Sequence, residues 1–503
     1  MTNSTTKTVR SVPQALAAGL LSALVAALVL GLQPLHSPLY WWHAAVGDLI
    51  NTWQAIPDEQ LFLFTVDTDQ PWVYDSWLSS AILAWLDGAG GADLSLLARN
   101  VLCALALGIA AYILARRHRL VRTAVGGWLA ALAVVAIFAD TGPAALVVLP
   151  SAVGVAAAVA IIEQRRRLIV AALIPAAAFA AVNLDFAAAM AIAMIGAVAA
   201  ITVLRQRGDD DGISSLLCAA IAASALLAPF GFAYGPGALA ATITAAYGAP
   251  AGLWTAPVVV PVVAVAASVF AITRYGADDQ TWSTPARIAM VLLSAASTLL
   301  APSTAPVFGM VVALAIAGPL EVALDADGDR SSTTSPGPLS MIAALVVAGG
   351  LAVVVQPGVD TRASILNTIH GDLRTEAPHP GTMPEALPLR CLEDLREVSS
   401  ELRIYHDPDH AGFVLYHLLD VERLRPLNFD DHRHLVDDGL RTRADVLRSE
   451  PVARGLFSEW EINAAVIDRN DYPQVADELD EAHGWHDLRA DRGEDFGCFV
   501  TVD

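Results

Sequence analysis

The chain has 503 residues, of which 55% are apolar and only 16% charged, with a mean hydropathy of +0.52 and a formal net charge of −21. Soluble domains carry about 25% charged residues, so no single soluble fold fits this composition. The acidic balance also argues against a nucleic-acid partner, because a phosphate backbone needs cationic surface.

A helix needs about 20 mainly apolar residues to cross roughly 30 Å of hydrocarbon. Stretches of that kind are predicted near Pro13 to Leu32, Leu94 to Ala115, Ala124 to Ala139, Ala144 to Ile162, Leu168 to Val182 and Phe186 to Leu204. Five more follow near Ile213 to Pro229, Pro257 to Thr273, Pro285 to Leu300, Pro306 to Val322 and Pro338 to Gln356. The first reads as a retained anchor, since its far end, Gly31 to Pro34, lacks a small-residue cleavage pattern. Two shorter apolar pieces, Trp77 to Trp85 and Gly237 to Tyr247, read as interfacial or re-entrant helices. The loop from Asp325 to Pro338, acidic and rich in Ser, Thr and Pro, reads as a flexible connector.

Orientation follows from the cations, which cytoplasmic loops retain during insertion. Lys7 and Arg10, Arg116 to Arg122, Arg165 to Arg167, Arg205 and Arg207, Arg274 and Arg287, and Arg330 occupy every second connection. The alternate connections, Pro34 to Asp93 among them, hold neither Arg nor Lys. With the N-terminus inside and about eleven crossings, everything after Pro357 emerges on the far side. That tail carries 15 Arg against 31 Asp and Glu, a formal charge of −16.

In the tail, short β-branched or aromatic runs alternate with polar helical stretches. Strands are predicted at Leu402 to Tyr405, Arg425 to Phe429, Ala464 to Ile467 and Gly497 to Val502. Helices are predicted at Leu392 to Ser399, Gly412 to Leu419, Ala444 to Ser449 and Tyr472 to His483. The expected fold class is an α-helical polytopic membrane bundle of about eleven transmembrane helices with a small C-terminal α/β extracytoplasmic domain. The domains are then residues 1–356, with an outer loop 34–93, and residues 357–503. Cys391 and Cys498 lie near the two ends of the tail, where either a disulfide or two separate buried thiols is compatible with the spacing.

The outer loop holds the chemistry. From His36 to Trp77 it has five tryptophans and six carboxylates. Trp41, Trp42 and Trp72 form either an aromatic belt or a stacking surface for a sugar. Asp48, Asp58, Glu59 and Asp75 are candidate bases for an acceptor hydroxyl, although a Pro-Asp-Glu run also starts helices and turns. His43 is either a base or a hydrogen-bonded structural residue. Arg99, early in the second crossing, either meets a pyrophosphate or snorkels to the interface.

The order Trp-Trp-His43, Gly47, Ile56-Pro57, Phe62, Pro71-Trp72 and Trp77-Leu78, followed by many apolar helices and a small α/β tail, resembles bacterial polytopic proteins of the GT-C glycosyltransferase superfamily. In the tail, Arg403 to Phe413, Asn428 to Arg433, Ile462 to Ile467 and Gly484-Trp485 resemble that group's terminal domain. The resemblance implies a protein of the bacterial cytoplasmic membrane that moves a sugar from a polyprenyl-phosphate-linked donor to an acceptor at the outer face. An acidic residue of the first outer loop would assist. Polar positions differ from the pattern: Leu39, Gln60 and Ser76 stand where relatives carry acids, Gly142-Pro143 replaces Arg-Pro, and Asn183-Leu184-Asp185 replaces Asn-x-His. The remaining catalytic candidates are Asp58, Glu59 and His43, with Trp41, Trp42, Asp48, Trp72, Asp75, Arg99, Asn183 and Asp185 for substrate binding. The alternative is a non-catalytic GT-C-fold protein that binds a polyprenyl lipid or scaffolds envelope assembly.

No cofactor or metal is expected. His406 to His410 and Asp430 to His434 hold ligand-type residues, but at no spacing specific for a site, and a solvated acidic surface explains them. No Gly-rich phosphate loop suggests an ATP-driven pump, and ionisable residues are too scarce within the crossings for an ion-coupled transporter.

Overall fold

The structure is a computed structural model. It describes residues 11–31, 38–59, 61–62, 73–74, 76–118, 121–138, 142–163, 168–206, 212–235, 264–266, 268–270, 272–273, 284–326, 388–398, 402–406, 410–418, 457–458, 460–469, 472–489 and 496–501. The chain divides into two compact units, one of residues 1–34 and 95–373, the other of residues 35–94 and 374–503. The outer loop thus groups with the tail, a division that linear order does not announce.

In the first unit the described helices are α1 (Val12–Gly31), the later part of α3 (Trp77–Arg117), α4 (Val121–Phe138), α5 (Pro143–Ile162), α6 (Leu168–Ala181), α7 (Phe186–Arg205), α8 (Gly212–Ala223), α9 (Thr284–Leu300) and α10 (Ala305–Ala326). A 3₁₀ turn, Ser224–Gly231, extends α8, so the predicted stretch from Ile213 to Pro229 is α8 plus this tightened end. Among the described residues five helices are long and apolar enough to cross a membrane, and α6, α9 and parts of α4 and α10 are shorter apolar helices. The expected crossing at Pro338 to Gln356 and the short piece at Gly237 to Tyr247 lie outside the described residues, and Pro257 to Thr273 is described only in fragments.

Small residues let these helices approach closely, as packing between apolar helices requires. A Cβ on Gly19 of α1 would sit 3.0 Å from the Gly108 carbonyl oxygen of α3, and one on Gly154 of α5 would meet Ile192 of α7 at 2.7 Å. Gly196 of α7 is equally close to Ile174 of α6. α5 is apolar on every side and buried along most of its length. By contrast Leu16, Leu20, Leu24 and Leu28, four residues apart on α1, are exposed and form a ridge suited to lipid. Hydroxyls inside the apolar segments bond back to their own helix: Ser151 donates to the Val147 carbonyl at 2.7 Å and Ser294 to that of Met290 at 2.7 Å. Charges at helix ends are paired, Arg117 with Glu163, and His118 with Glu321 at 2.6 Å.

The second unit contains α2 (Pro38–Trp53), the opening part of α3, and the tail. α3 breaks at Gly90 and Gly91, and Gly91 has φ +67°, a conformation that only glycine adopts at low cost. The short apolar piece Trp77 to Trp85 is therefore the first limb of α3. α2 was not foreseen. Pro38 at its first position suits a helix start, and its apolar positions recur at helical spacing.

In the tail, α11 (Leu389–Arg396), β1 (Ile404–His406), α12 (Ala411–Leu418), β2 (Ala464–Asp468), α13 (Pro473–Glu481), β3 (Trp485–Asp487) and β4 (Phe496–Thr501) follow in order. The strand order is β1-β2-β4-β3, with β1 parallel to β2 and the other pairs antiparallel. β3 was not predicted, because three residues with a polar centre give no periodic signal. The predicted strand at Arg425 to Phe429 and helix at Ala444 to Ser449 lie outside the described residues. Tyr405, Ile467, Leu479 and Phe499 form the core under the sheet. Cys391 on α11 is disulfide-bonded to Cys498 on β4, with Cα atoms 5.4 Å apart, which excludes the reading as separate thiols. Arg469 bridges Asp480 at 2.9 Å and Asp487 at 2.5 Å. Its pKa is raised, first by the hydrogen bond to Asp480.

Candidate functional site

The second unit brings together α2, the first limb of α3, and α12. Gly47 permits it: a Cβ there would lie 1.9 Å from the Ser80 carbonyl oxygen, so only hydrogen allows α2 to seat on α3. Beside that contact, His43 Nδ1 is 2.8 Å from Ser80 Oγ, and Ser80 Oγ donates to the Ser76 carbonyl at 3.3 Å. Which of His43 and Ser80 donates in the first bond is set by the His43 tautomer. Asn51 Nδ2 donates to the Ala81 carbonyl at 3.1 Å and secures the far end of α2.

Seven residues beyond Ser80 on α3, Asp87 accepts two tyrosine hydroxyls, one on each carboxylate oxygen. Tyr40 of α2 donates to Oδ1 at 2.6 Å and Tyr416 of α12 to Oδ2 at 2.6 Å. These are charge-assisted bonds of the short kind. Trp41 fills the space beneath, 2% exposed, with ring centroids 5.2 Å from Phe413 and 4.9 Å from Tyr416, both edge-on. The Tyr416 hydroxyl is pushed well above its ordinary 10.0, first by burial, then by its hydrogen bond to Asp87 and by the charges of Asp87 and Asp48. It stays a donor at any physiological pH. Asp48 itself is exposed. It follows Trp41 by seven residues, on the same side of α2, and its charge is felt at Tyr416.

Of the other residues singled out from sequence, Trp42 is buried against Phe62, ring centroids 5.3 Å apart. Asp58 and Glu59 are exposed in the irregular segment after Pro57, Glu59 as an isolated bridge residue. Trp72 and Asp75 lie outside the described residues. Arg99, Asn183 and Asp185 belong to the first unit. Arg99 is 4% exposed, donating to the Leu30 carbonyl at 2.9 Å and to Asn100 Oδ1 at 3.1 Å, so it caps the end of α1. Asp185 caps α7 through the Ala188 amide at 2.7 Å, and Asn183 accepts from the Ala233 amide at 3.1 Å. In the tail, His406 is buried in β1 and the His410 ring is edge-on to Phe496 at 5.4 Å.

Sequence reading missed Tyr40, Ser80, Asp87 and Tyr416. Asp87 carried a usable signal, a single carboxylate between an apolar run and a Gly-rich break. Tyr416 carried none, since its partner is 329 positions away.

No protein-family model and no curated protein sequence matches the chain. Among solved structures, the arabinofuranosyltransferase AftD from mycobacteria, determined by single-particle cryo-EM, superposes with a TM-score of 0.53 at 14% identity, over 99% of this chain. The chain has a GT-C-like fold. This GT-C-fold chain spans 40% of the length of the AftD chain. A second similar structure is the archaeal oligosaccharyltransferase AglB from Archaeoglobus fulgidus, in complex with an inhibitory peptide and a dolichol-phosphate. Its TM-score is 0.47 at 11% identity, over 91% of this chain and 70% of that one. The apolar helices and the GT-C fold together make this a multi-pass membrane protein.

Proposed function

We propose that this GT-C-fold protein transfers a sugar from a polyprenyl-phosphate-linked donor to an acceptor hydroxyl at the outer face of a bacterial cytoplasmic membrane. The N-terminus is then cytoplasmic, about eleven helices cross, and the second unit lies outside. In the transfer, a bond forms from the acceptor oxygen to the anomeric carbon, the bond from that carbon to the phosphate oxygen breaks, and polyprenyl phosphate leaves. The acceptor proton passes to a carboxylate.

The observation that carries this reading is a pair of carboxylates, Asp48 on α2 and Asp87 on α3, whose charges both act on Tyr416. Asp48 is solvent-facing, and its charge reaches a tyrosine held by the half-buried Asp87. Asp48 is the acceptor base in this proposal, and Asp87 with its two tyrosines is the positioning group. Asp58 and Glu59 are the second carboxylate pair within the same unit. The test is mass spectrometry of lipids and glycans from cells lacking the protein and from cells carrying Asp48→Asn or the double variant Asp58→Ala, Glu59→Ala. Loss of a glycan with accumulation of its lipid-linked precursor is expected in the deletion and in Asp48→Asn. An unchanged profile in the deletion overturns the reading.

A specific observation favours the second reading, a non-catalytic protein that binds a polyprenyl lipid or scaffolds envelope assembly. His43, Trp41 and Trp42, the residues best suited to chemistry and stacking, are buried, with His43 bonded to Ser80 and the indoles packed against aromatics. Products that vanish on deletion but persist in both carboxylate variants decide for it.

A further inference from the structure

In the tail, away from the Asp87 cluster, a cleft of about 420 Å³ opens between α13 and the edge of the sheet. That volume is in the range of small-molecule sites. Its apolar lining includes two aromatic rings, Phe457 and the half-buried Trp485, with centroids 5.8 Å apart at the margin of the domain core. Its rim is polar and comes from four places in the sequence, Ser458, Glu478, His483 and Thr501. Glu478 stands on α13, Thr501 ends β4, and His483 lies in the turn after α13, where Gly484, at φ +93°, reverses the chain to start β3.

This combination selects a ligand class. Aromatic rings in one cleft with a carboxylate, an imidazole and two hydroxyls match a molecule with an apolar face and a hydroxylated edge. Among the described residues no Arg or Lys lines the cleft, and the tail is strongly acidic, so phosphorylated and carboxylated ligands are disfavoured. We infer that this cleft binds a neutral saccharide, one ring stacked on Trp485 and its hydroxyls bonded to Glu478 and His483. A direct binding measurement involves no turnover, so binding at the cleft fails or succeeds separately from sugar transfer.

The test uses the full-length protein in detergent, titrated with maltotetraose, cellotetraose and mannotetraose as neutral probes and glucose 1-phosphate as the anionic one. Saturation-transfer NMR and tryptophan fluorescence report binding. At least one neutral probe is expected to bind, with ring protons saturated most strongly. Glu478→Gln and His483→Ala, both at the rim, are each expected to weaken it by about tenfold, the size of one hydrogen bond. Trp485→Ala is expected to abolish it, and because Trp485 also packs on the core, the two rim variants are decisive should that protein not fold. Absence of binding by every neutral probe, binding indifferent to both rim variants, or preference for the sugar phosphate overturns the inference.

Discussion

Asp87 shows how one side chain acquires significance from its partners. As a lone carboxylate it is ordinary, but two tyrosine hydroxyls, from residues 40 and 416, hold it in one orientation. Tyr416→Phe removes one of those donors and is expected to cost about 1.5–3 kcal/mol, the range for hydrogen bonds to charged groups, read from melts of the purified protein. A pH dependence goes with it. The Tyr416 hydroxyl has its folded-state pKa raised above 10.0, by burial first and by Asp87 and Asp48 next. The folded chain therefore keeps a proton that the unfolded chain releases once pH passes 10.0, and the stability this group contributes is whole below that pH and falls as pH rises above it. Melting temperature measured from about pH 9 to 11 should fall less steeply in Tyr416→Phe than in the parent. An identical slope would mean that Tyr416 titrates no differently in the folded chain. None of this was legible in the sequence: the stretch from His36 to Trp77 offered six carboxylates, with Asp58 and Glu59 the best-placed pair, and the residue that organises the cluster lies beyond it.

At the scale of the element, α2 depends on a missing side chain. Because a Cβ at position 47 would meet the backbone of Ser80 at 1.9 Å, and backbone cannot swing aside, Gly47→Ala must push α2 off α3. Overpacking of this kind costs about 1–3 kcal/mol or more, and the shift would also stretch the His43–Ser80 bond. Loss of melting temperature, with normal membrane insertion, is the expected result; a protein as stable as the parent contradicts the close approach. The sequence hid α2 because its tryptophans and histidine read equally well as an interfacial belt, and a helix buried on several sides has no clean polar face. It hid β3 for a different reason, a strand too short to show alternation. Long apolar helices such as α5 and α7 were legible because length and uniform apolarity suffice to identify them.

For the whole molecule, the disulfide links compartment to stability. Cys391 and Cys498 close a loop of 107 residues, for which chain-entropy arguments give about 4–5 kcal/mol. Cys391→Ser is expected to destabilise the tail by that order, seen as earlier proteolysis of the tail in intact membranes. The bond also tests orientation, since it persists where the environment is oxidising. In intact cells, an impermeant maleimide should label the tail cysteines only after reduction; labelling that requires permeabilisation would place the tail inside and reverse the proposed topology. Labelling at an introduced cysteine in the Asp48 region should follow the same pattern.

By itself the sequence determined that this is a chain of apolar, membrane-length helices with an acidic tail, because hydrocarbon thickness and the placement of arginines act on local composition alone. It also contained the scattered motif of a GT-C protein, which the fold now matches. Only the tertiary structure showed which polar residues tie the fold together. Arg99, Asn183 and Asp185 cap and tie helices, while the carboxylate that organises α2, α3 and α12 is Asp87. The reason is that a polar group's role depends on who shares its hydrogen bonds, and those partners lie anywhere from 3 to 329 positions away.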